Sequence, residues 1–377
     1  MKKYLLFCLF FTLLSMVSYS QELALVKEKD LFGYINKSGE EVIKPKFAKA
    51  ESFSGAYAAA MTSDKKWGYI DVKGEWVIQP EYQKAKKFNS GWALVFDGVK
   101  WSYINSKNEK LKVPSADKYF DFQENGIAII TTADKKVGLI DKSGKYILEP
   151  QYEVIKPFSN GRARYKDGAK WGMIDTKGKV VIKAEYDEIG DYNKNGYWAK
   201  KGASFGLFMN DDFKLLEGIE KIWDFTGQST ITYAKSNGKI GFIDNKGKWV
   251  IEPTYDKVKA FNAGMAPVYK SKKWGYVNDK GELVIELKYA DAEIFGDNGL
   301  APVKESKSWG FVDKTGKVVI PFQYEITFGF SGLFSNGFNK GFIDGLARVS
   351  SKKNMGFINE KDEVIGKWYQ HVELFSK

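Results

Sequence analysis

One phrase recurs through this chain and constrains its folding more than any other feature. "KKWGYIDVKGEWVIQPEY" runs from Lys65 to Tyr82, and "SKKWGYVNDKGELVIELKY" runs from Ser271 to Tyr289. Aligned on the glycine of "WG", ten copies appear, at Gly33, Gly68, Ser102, Gly138, Gly172, Gly206, Gly241, Gly275, Gly310 and Gly356. The gaps are 34 to 36 residues except the last, which is 46. So constant an interval marks each copy as one supersecondary unit. A unit this short hides its apolar surface only against its neighbours.

Each column of the repeat has a physical reading. The residue before the glycine is always apolar and is Trp in five copies (Trp67, Trp101, Trp171, Trp274, Trp309). Pairs such as Tyr69–Ile70 and Phe311–Val312 follow, an aromatic and β-branched run that favours a strand with both faces covered. Glycine inside that strand leaves a notch for a close neighbouring side chain. Next comes Asn or Asp in nine of ten copies, with Met209 the exception. Three residues later stands Gly, Asn or Asp: Gly74, Asn108 and Asp212 are examples. This spells a three-residue hairpin loop that ends in a left-handed residue. A returning strand ("WVI", Trp76 to Ile78), an aromatic anchor (Phe88) and a third strand ("GWALV", Gly91 to Val95) complete the copy.

These residues resemble the WG-repeat family, also called KWG repeats, over essentially the whole chain after the leader. Membership implies an all-β repeat domain in bacterial, often exported, proteins, and no defined reaction. Ser102 and the sixth copy, "FGLFMNDDFKLLEGIEKIWDF", depart from the motif. The expected architecture is a tandem array of about ten three-stranded antiparallel β units of 34–35 residues, open and solenoid-like. A closed toroid or propeller-like ring is the alternative. Blades of four strands in about 40 residues, usually four to eight of them, fit ten three-stranded units poorly.

Residues 1–20 read as a separate object. Lys2 and Lys3 precede the apolar run "YLLFCLFFTLLSMV", and small residues at Ser18 and Ser20 suit cleavage between Ser20 and Gln21. The run is shorter than the roughly 20 residues of a membrane span, so no transmembrane segment is expected in the mature chain. Residues 21–377 form the repeat domain, and the expected location is periplasm, cell surface or secreted. Cys8, the only cysteine, leaves with the leader, so packing must replace disulfides. The net charge of +11 falls to +9 with the loss of Lys2 and Lys3.

Catalytic material is scarce. With Cys8 gone the remaining chain has no cysteine, and its one histidine, His371, is read as a surface or packing residue. No zinc cluster, phosphate-cradling loop or other cofactor or metal site is evident. The recurring acids, such as Asp71, Asp141 and Asp313, sit where turns need them. Two features remain as a candidate ligand face. Lys66, Lys100, Lys136, Lys170, Lys239 and Lys273 precede the aromatic column and would line up in a regular array, where an anionic polymer could meet them; the bland alternative is a solvated strand edge. The long gap carries an insertion near 328–344 with Phe328, Phe330, Phe334, Phe338 and Phe342; it is either a binding loop or a decayed repeat. The expected function is a non-enzymatic exported scaffold that binds a protein or cell-surface glycan, and not nucleic acid. The alternatives are a carbohydrate-active enzyme with paired carboxylates and a purely structural envelope protein.

Overall fold

The computed structural model describes residues 22–209, 211–325 and 340–376. Among them there are strands and no helix. The strands form ten small antiparallel sheets, nine with four strands and one with three. Blade 2 is representative. Its order is Lys49–Ala50, Ala58–Met61, Trp67–Ile70 and Trp76–Tyr82. The WG strand and the returning strand therefore share a blade, as the repeat suggests. The "GWALV" strand, however, opens the next blade, beside a two-residue strand the repeat does not advertise. The blade is four-stranded rather than three-stranded, and it is out of phase with the sequence copy.

The array is a closed ring rather than an open solenoid. Ala24–Glu28, Leu31–Ile35 and Glu41–Phe47 supply three strands of blade 1, and His371–Val372 supplies the fourth. Val26 pairs with Val372, and Lys27 with His371. The Gln370 amide donates to the Lys27 carbonyl at 3.0 Å, and the Glu373 amide to the Leu25 carbonyl at 2.8 Å. Lys367 bridges Glu28 (2.8 Å) and Glu41 (3.0 Å) across the same seam. The fold is a ten-bladed β-propeller.

In most copies the WG glycine is forced by backbone, while in the last Gly356 faces the Trp368 side chain, as the notch reading expects. In blade 2, Trp67 opposes Tyr82 while Tyr69 opposes Ile78. Gly68 alone thus faces three residues of the other strand, so the returning strand bulges at Gln79–Glu81. A Cβ on Gly68 would lie 2.4 Å from the Ile78 carbonyl oxygen. Gly33, Gly172, Gly241 and Gly275 meet the same carbonyl at 2.3–2.4 Å. Proline suits the bulge (Pro45, Pro80, Pro253) because it has no N–H left to satisfy there.

The turn forms as the sequence predicts. Asp71 Oδ1 accepts from the Lys73 and Glu75 amides at 2.9 and 3.0 Å, and Gly74 has φ +81°. The sixth copy differs: its left-handed residue is Asp211 (φ 67°), not Asp212. The turn glycine then packs on the previous blade, Gly74 on Ile43 and Gly316 on Ile285.

Blades hold one another by further repeated ties. In seven blades one residue separates the returning strand from the next blade's first strand. That residue is already bonded forward: the Gln83 amide donates to the Phe96 carbonyl at 2.8 Å. The WG-strand tyrosine reaches the next blade as well, Tyr34 to the Glu51 carbonyl (2.7 Å), Tyr69 to Lys86 (2.7 Å) and Tyr276 to Glu293 (2.8 Å). Its ring meets the following aromatic anchor edge-on, as in Tyr34–Phe53 and Tyr69–Phe88, both at 4.7 Å. Such pairs add about 0.5–1.5 kcal/mol beyond burial. The second strand is crowded on both faces, and Ala59 and Ala60 are fully buried.

Candidate functional site

In the copies that carry Tyr34, Tyr69, Tyr103 and Tyr276, the tyrosine tie fixes the backbone just after the next blade's short first strand. The side chains at this position vary in chemistry from blade to blade: Glu373, Glu51, Lys86, Phe120, Lys156, Lys259 and Glu293 share the column. Beside blades 1–4 this column and its neighbours wall a cavity of ≈1440 Å³, whose charged lining includes Glu51, Lys86, Lys87, Asp121, His371 and Glu373. Residues of several blades are needed to enclose it, so the cavity is a property of the ring rather than of one repeat.

Its carboxylates differ in compensation. Burial favours a neutral Glu373, but His371 at 2.7 Å and Arg348 at 3.3 Å hold its carboxyl below the ordinary range. Glu51 is pushed up, chiefly by burial, with Glu373 reinforcing the effect and Lys86 opposing it. Asp121 is also pushed up by burial, against Lys86 and Lys87, and its Oδ1 is buried without a hydrogen-bond partner among the described residues. Carboxylates of the same loops away from the cavity are satisfied. Asp191 meets Arg164 at 2.8 Å, and Asp224 accepts from Trp198 Nε1 at 2.7 Å. Glu293, only 2% exposed, meets Lys259 at 2.9 Å and also Lys340. Within the cavity Glu373 has cations on it, whereas Glu51 and Asp121 have no ion-pair partner among the described residues.

The residues singled out from sequence fall elsewhere. Lys136, Lys170 and Lys239 pair with Glu153 (3.3 Å), Asp187 (2.6 Å) and Asp256 (2.5 Å), each 17 residues on. These three are tied to their own blade junctions rather than offered as a continuous cationic row. For Lys66 and Lys273 the corresponding positions are Gln83 and Ala290, and for Lys100 it is Asp117, which meets Lys135 instead. Phe342 is 7% exposed and packs on Phe311 at 4.9 Å; it is the aromatic anchor displaced by the insertion and belongs to the core. Phe328, Phe330, Phe334 and Phe338, like Ser20 and Gln21, lie outside the described residues. The WG indoles are half-buried or buried, and lysine ammonium groups lie over Trp171, Trp274 and Trp309, as Lys259 does over Trp274 at 5.0 Å.

His371, read from sequence as a packing residue, stands on the cavity wall. Among the cavity serines, Ser54, Ser90 and Ser376 donate to the backbone carbonyls of Phe88 (2.6 Å), Gln123 (2.7 Å) and Leu23 (2.9 Å). Their hydroxyls thus join neighbouring loops rather than the imidazole. Among the described residues no group of three or more His, Cys, Asp or Glu is placed to hold a metal ion. No helix is long and apolar enough to cross a membrane. Sequence reasoning missed Glu51, Lys86, Lys87 and Asp121. The available signal was the one column whose residue class changes freely inside an otherwise regular repeat.

The WG-containing repeat family matches residues 32–65, 67–101, 138–171, 171–203, 240–274, 274–307 and 309–338, more than half of the chain. The protein belongs to the WG-repeat family. No curated protein matches this WG-repeat chain in sequence. Similar solved structures include a eukaryotic initiation factor, at 10% identity over 94% of this chain and 98% of that one, with a TM-score of 0.48. The computationally designed Ika8 protein is 10% identical over 80% and 99%, TM-score 0.34. BamB from Moraxella catarrhalis is 9% identical over 70% and 90%, TM-score 0.32. Likeness at this level carries no argument about what the WG-repeat chain does.

Proposed function

We propose that this WG-repeat propeller is a non-enzymatic, exported scaffold that binds a segment of a partner protein or surface polymer in the cavity of blades 1–4. The observation that carries the reading is the gathering of two partly buried carboxylates with no ion-pair partner among the described residues, Glu51 and Asp121, near the exposed Lys86 and Lys87 in that cavity. Uncompensated charge is costly to bury, and a partner with its own charges would offset the cost. Export rests on the leader: N-terminal sequencing of the secreted or periplasmic protein should begin at Gln21, and a retained leader would end that part of the reading. For binding, the mature chain and its Lys86→Glu/Lys87→Glu variant are compared for capture of envelope components, with melting temperature as the folding control. Binding partners lost by the variant at unchanged melting temperature support the cavity. Identical capture by both removes it.

A second reading has its own observation. Glu51 is pushed up and Glu373 held down in one cavity, and environments that drive two carboxyls apart are how an acid and a base are made from like residues. Release of reducing ends from a panel of polysaccharides, abolished by Glu51→Gln, would favour a glycan-cleaving enzyme over a scaffold.

A further inference from the structure

Across the ring, where blades 5, 6 and 7 meet, lies a separate cavity of ≈490 Å³. It is built by the copy that departs most from the repeat. Ser204–Met209 and Asp212–Leu215 pair in straight register, with Met209 opposite Asp212, so this hairpin has no bulge and a shorter turn. The turn holds Asp211 at φ 67°, a conformation that a residue with a side chain seldom adopts. That backbone delivers its carboxylate to Arg162 of blade 5, at 2.5 Å to Nη1 and 2.9 Å to Nη2. The Tyr197 hydroxyl donates to the same carboxylate at 2.7 Å, and the guanidinium lies 4.1 Å from the Tyr192 ring centroid. This wall is rigid, and its one acid is already satisfied.

The other polar groups of the lining are donors in excess. Lys194 and Lys246 have exposed ammonium groups with no acceptor or acid on them among the described residues. Asn195 Nδ2 is buried with no hydrogen-bond partner among the described residues. Its backbone is held in place, its amide donating to Asn193 Oδ1 at 2.9 Å and its carbonyl accepting from Asn245 Nδ2 at 2.8 Å. A buried donor without an acceptor is uncommon, and an oxyanion reached by rotation of the Asn195 side chain would satisfy it. Two free ammoniums and one orphan amide, with no unsatisfied acid in the lining, ask for an oxyanion. The volume exceeds what a bare ion fills and lies within the usual range of small-molecule sites.

We infer that the cavity of blades 5–7 binds a small polar molecule through an oxyanion, a carboxylate as on an acidic sugar or a phosphate, held by Lys194, Lys246 and the Asn195 amide. It is distinct from the cavity of blades 1–4, and either site can stand without the other.

Calorimetric titration of the mature chain with digalacturonate, with inorganic phosphate and with neutral galactose tests the assignment. One or both anions bind at about 1 mM or tighter, and galactose does not. Binding weakens as salt is raised. Binding by digalacturonate alone assigns the oxyanion to a sugar carboxylate, and binding by phosphate assigns it to a phosphoryl group. Lys194→Gln/Lys246→Gln, at exposed positions that leave the fold intact, weakens binding at least about tenfold, as does Asn195→Ala. Lys86→Glu/Lys87→Glu leaves it unchanged, which keeps this test separate from that of the other cavity. No heat with either anion, equal binding of galactose, or undiminished binding by the double lysine variant overturns the inference.

Discussion

Blades 2 and 3 come from consecutive copies of nearly equal length, yet they close differently. In blade 2 the returning strand stays with the WG strand to its end, passing Gly68 through the bulge. In blade 3 the glycine is Ser102. There the chain turns normally, pairs Ile104 with Lys110 and sends the Leu111 amide to the Tyr103 carbonyl at 2.9 Å, then departs. Its Leu111, Val113 and Ala116 stay packed on the core between blades 3 and 4, and backbone pairing resumes at Asp117, whose amide donates to the Thr131 carbonyl of blade 4 at 2.8 Å. A Cβ at the equivalent Gly68 would lie 2.4 Å from the bulged strand's Ile78 carbonyl oxygen, so a serine in this column is incompatible with such a bulge. One hydroxymethyl group thus coincides with the loss of a whole strand, while the turn and the tyrosine tie survive. Tyr103 still donates to the Phe120 carbonyl. The glycine governs the fourth strand alone; the other devices are independent of it.

The largest expected effect breaks that comparison directly. Gly68→Val drives a side chain into the Ile78 carbonyl and should cost about 3 kcal/mol or more, seen as a fall in melting temperature. Ser102→Val in blade 3, where no strand lies opposite, should cost less than about 1 kcal/mol. Equal losses would show that the glycine serves something other than the bulge. Next come Tyr69→Phe and Tyr103→Phe. Each strands a loop carbonyl and should cost about 1–2 kcal/mol, alike in the two blades because the tie is common to both. A denaturant titration showing loss in only one blade would contradict that.

Acid separates the turns more gently. Blade 3 turns on Asn105, and blade 4 on Asp141. Asp141 is held below the ordinary range by the Ser143 hydroxyl and the Ser143 and Lys145 amides, despite some desolvation. A carboxyl depressed in the folded state contributes stability above its unfolded pKa of about 3.9, and the contribution is lost as pH falls through the folded value. Asp141→Asn should therefore lower the melting temperature slightly at neutral pH and flatten its decline below about pH 4, the two proteins converging in acid. A steeper acid decline would reverse the sign. The smallest effect belongs to Ser102→Gly, within about 0.5 kcal/mol, because a notch alone does not supply the contacts of a fourth strand. Amide exchange at Leu111 and Lys112 would report any restored pairing.

Much of this was legible in the residues. The copy number, the strand carrying Trp67 to Ile70, the Asx turn at Asp71 and its left-handed Gly74 all follow from local chemistry that each copy repeats. The first strand was not legible, because Lys84–Ala85 is two residues long and carries no alternation to read. Closure was not legible either. It depends on a small rotation accumulated over ten blades, which no single copy encodes. One clue was present: Leu23–Val26 matches the third segment of a copy, and His371–Phe375 matches the stretch that normally precedes it, so the two complete each other. Of the candidate sites, the lysine column misled because its partners lie 17 residues away, across a blade junction. The cavity residues were hidden because sequence reading rewards columns that hold constant.

The offset between copy and blade has a consequence for how such rings arise and change. A genetic exchange between any two copies would excise or add about 35 residues, beginning and ending at equivalent points of the polypeptide. Every blade left behind would still receive its strands from the correct neighbours, and the seam at His371–Val372 would be untouched. Circumference could therefore change in whole steps, without an orphaned strand at the cut, and a paralogue with nine or eleven blades would need no repair elsewhere.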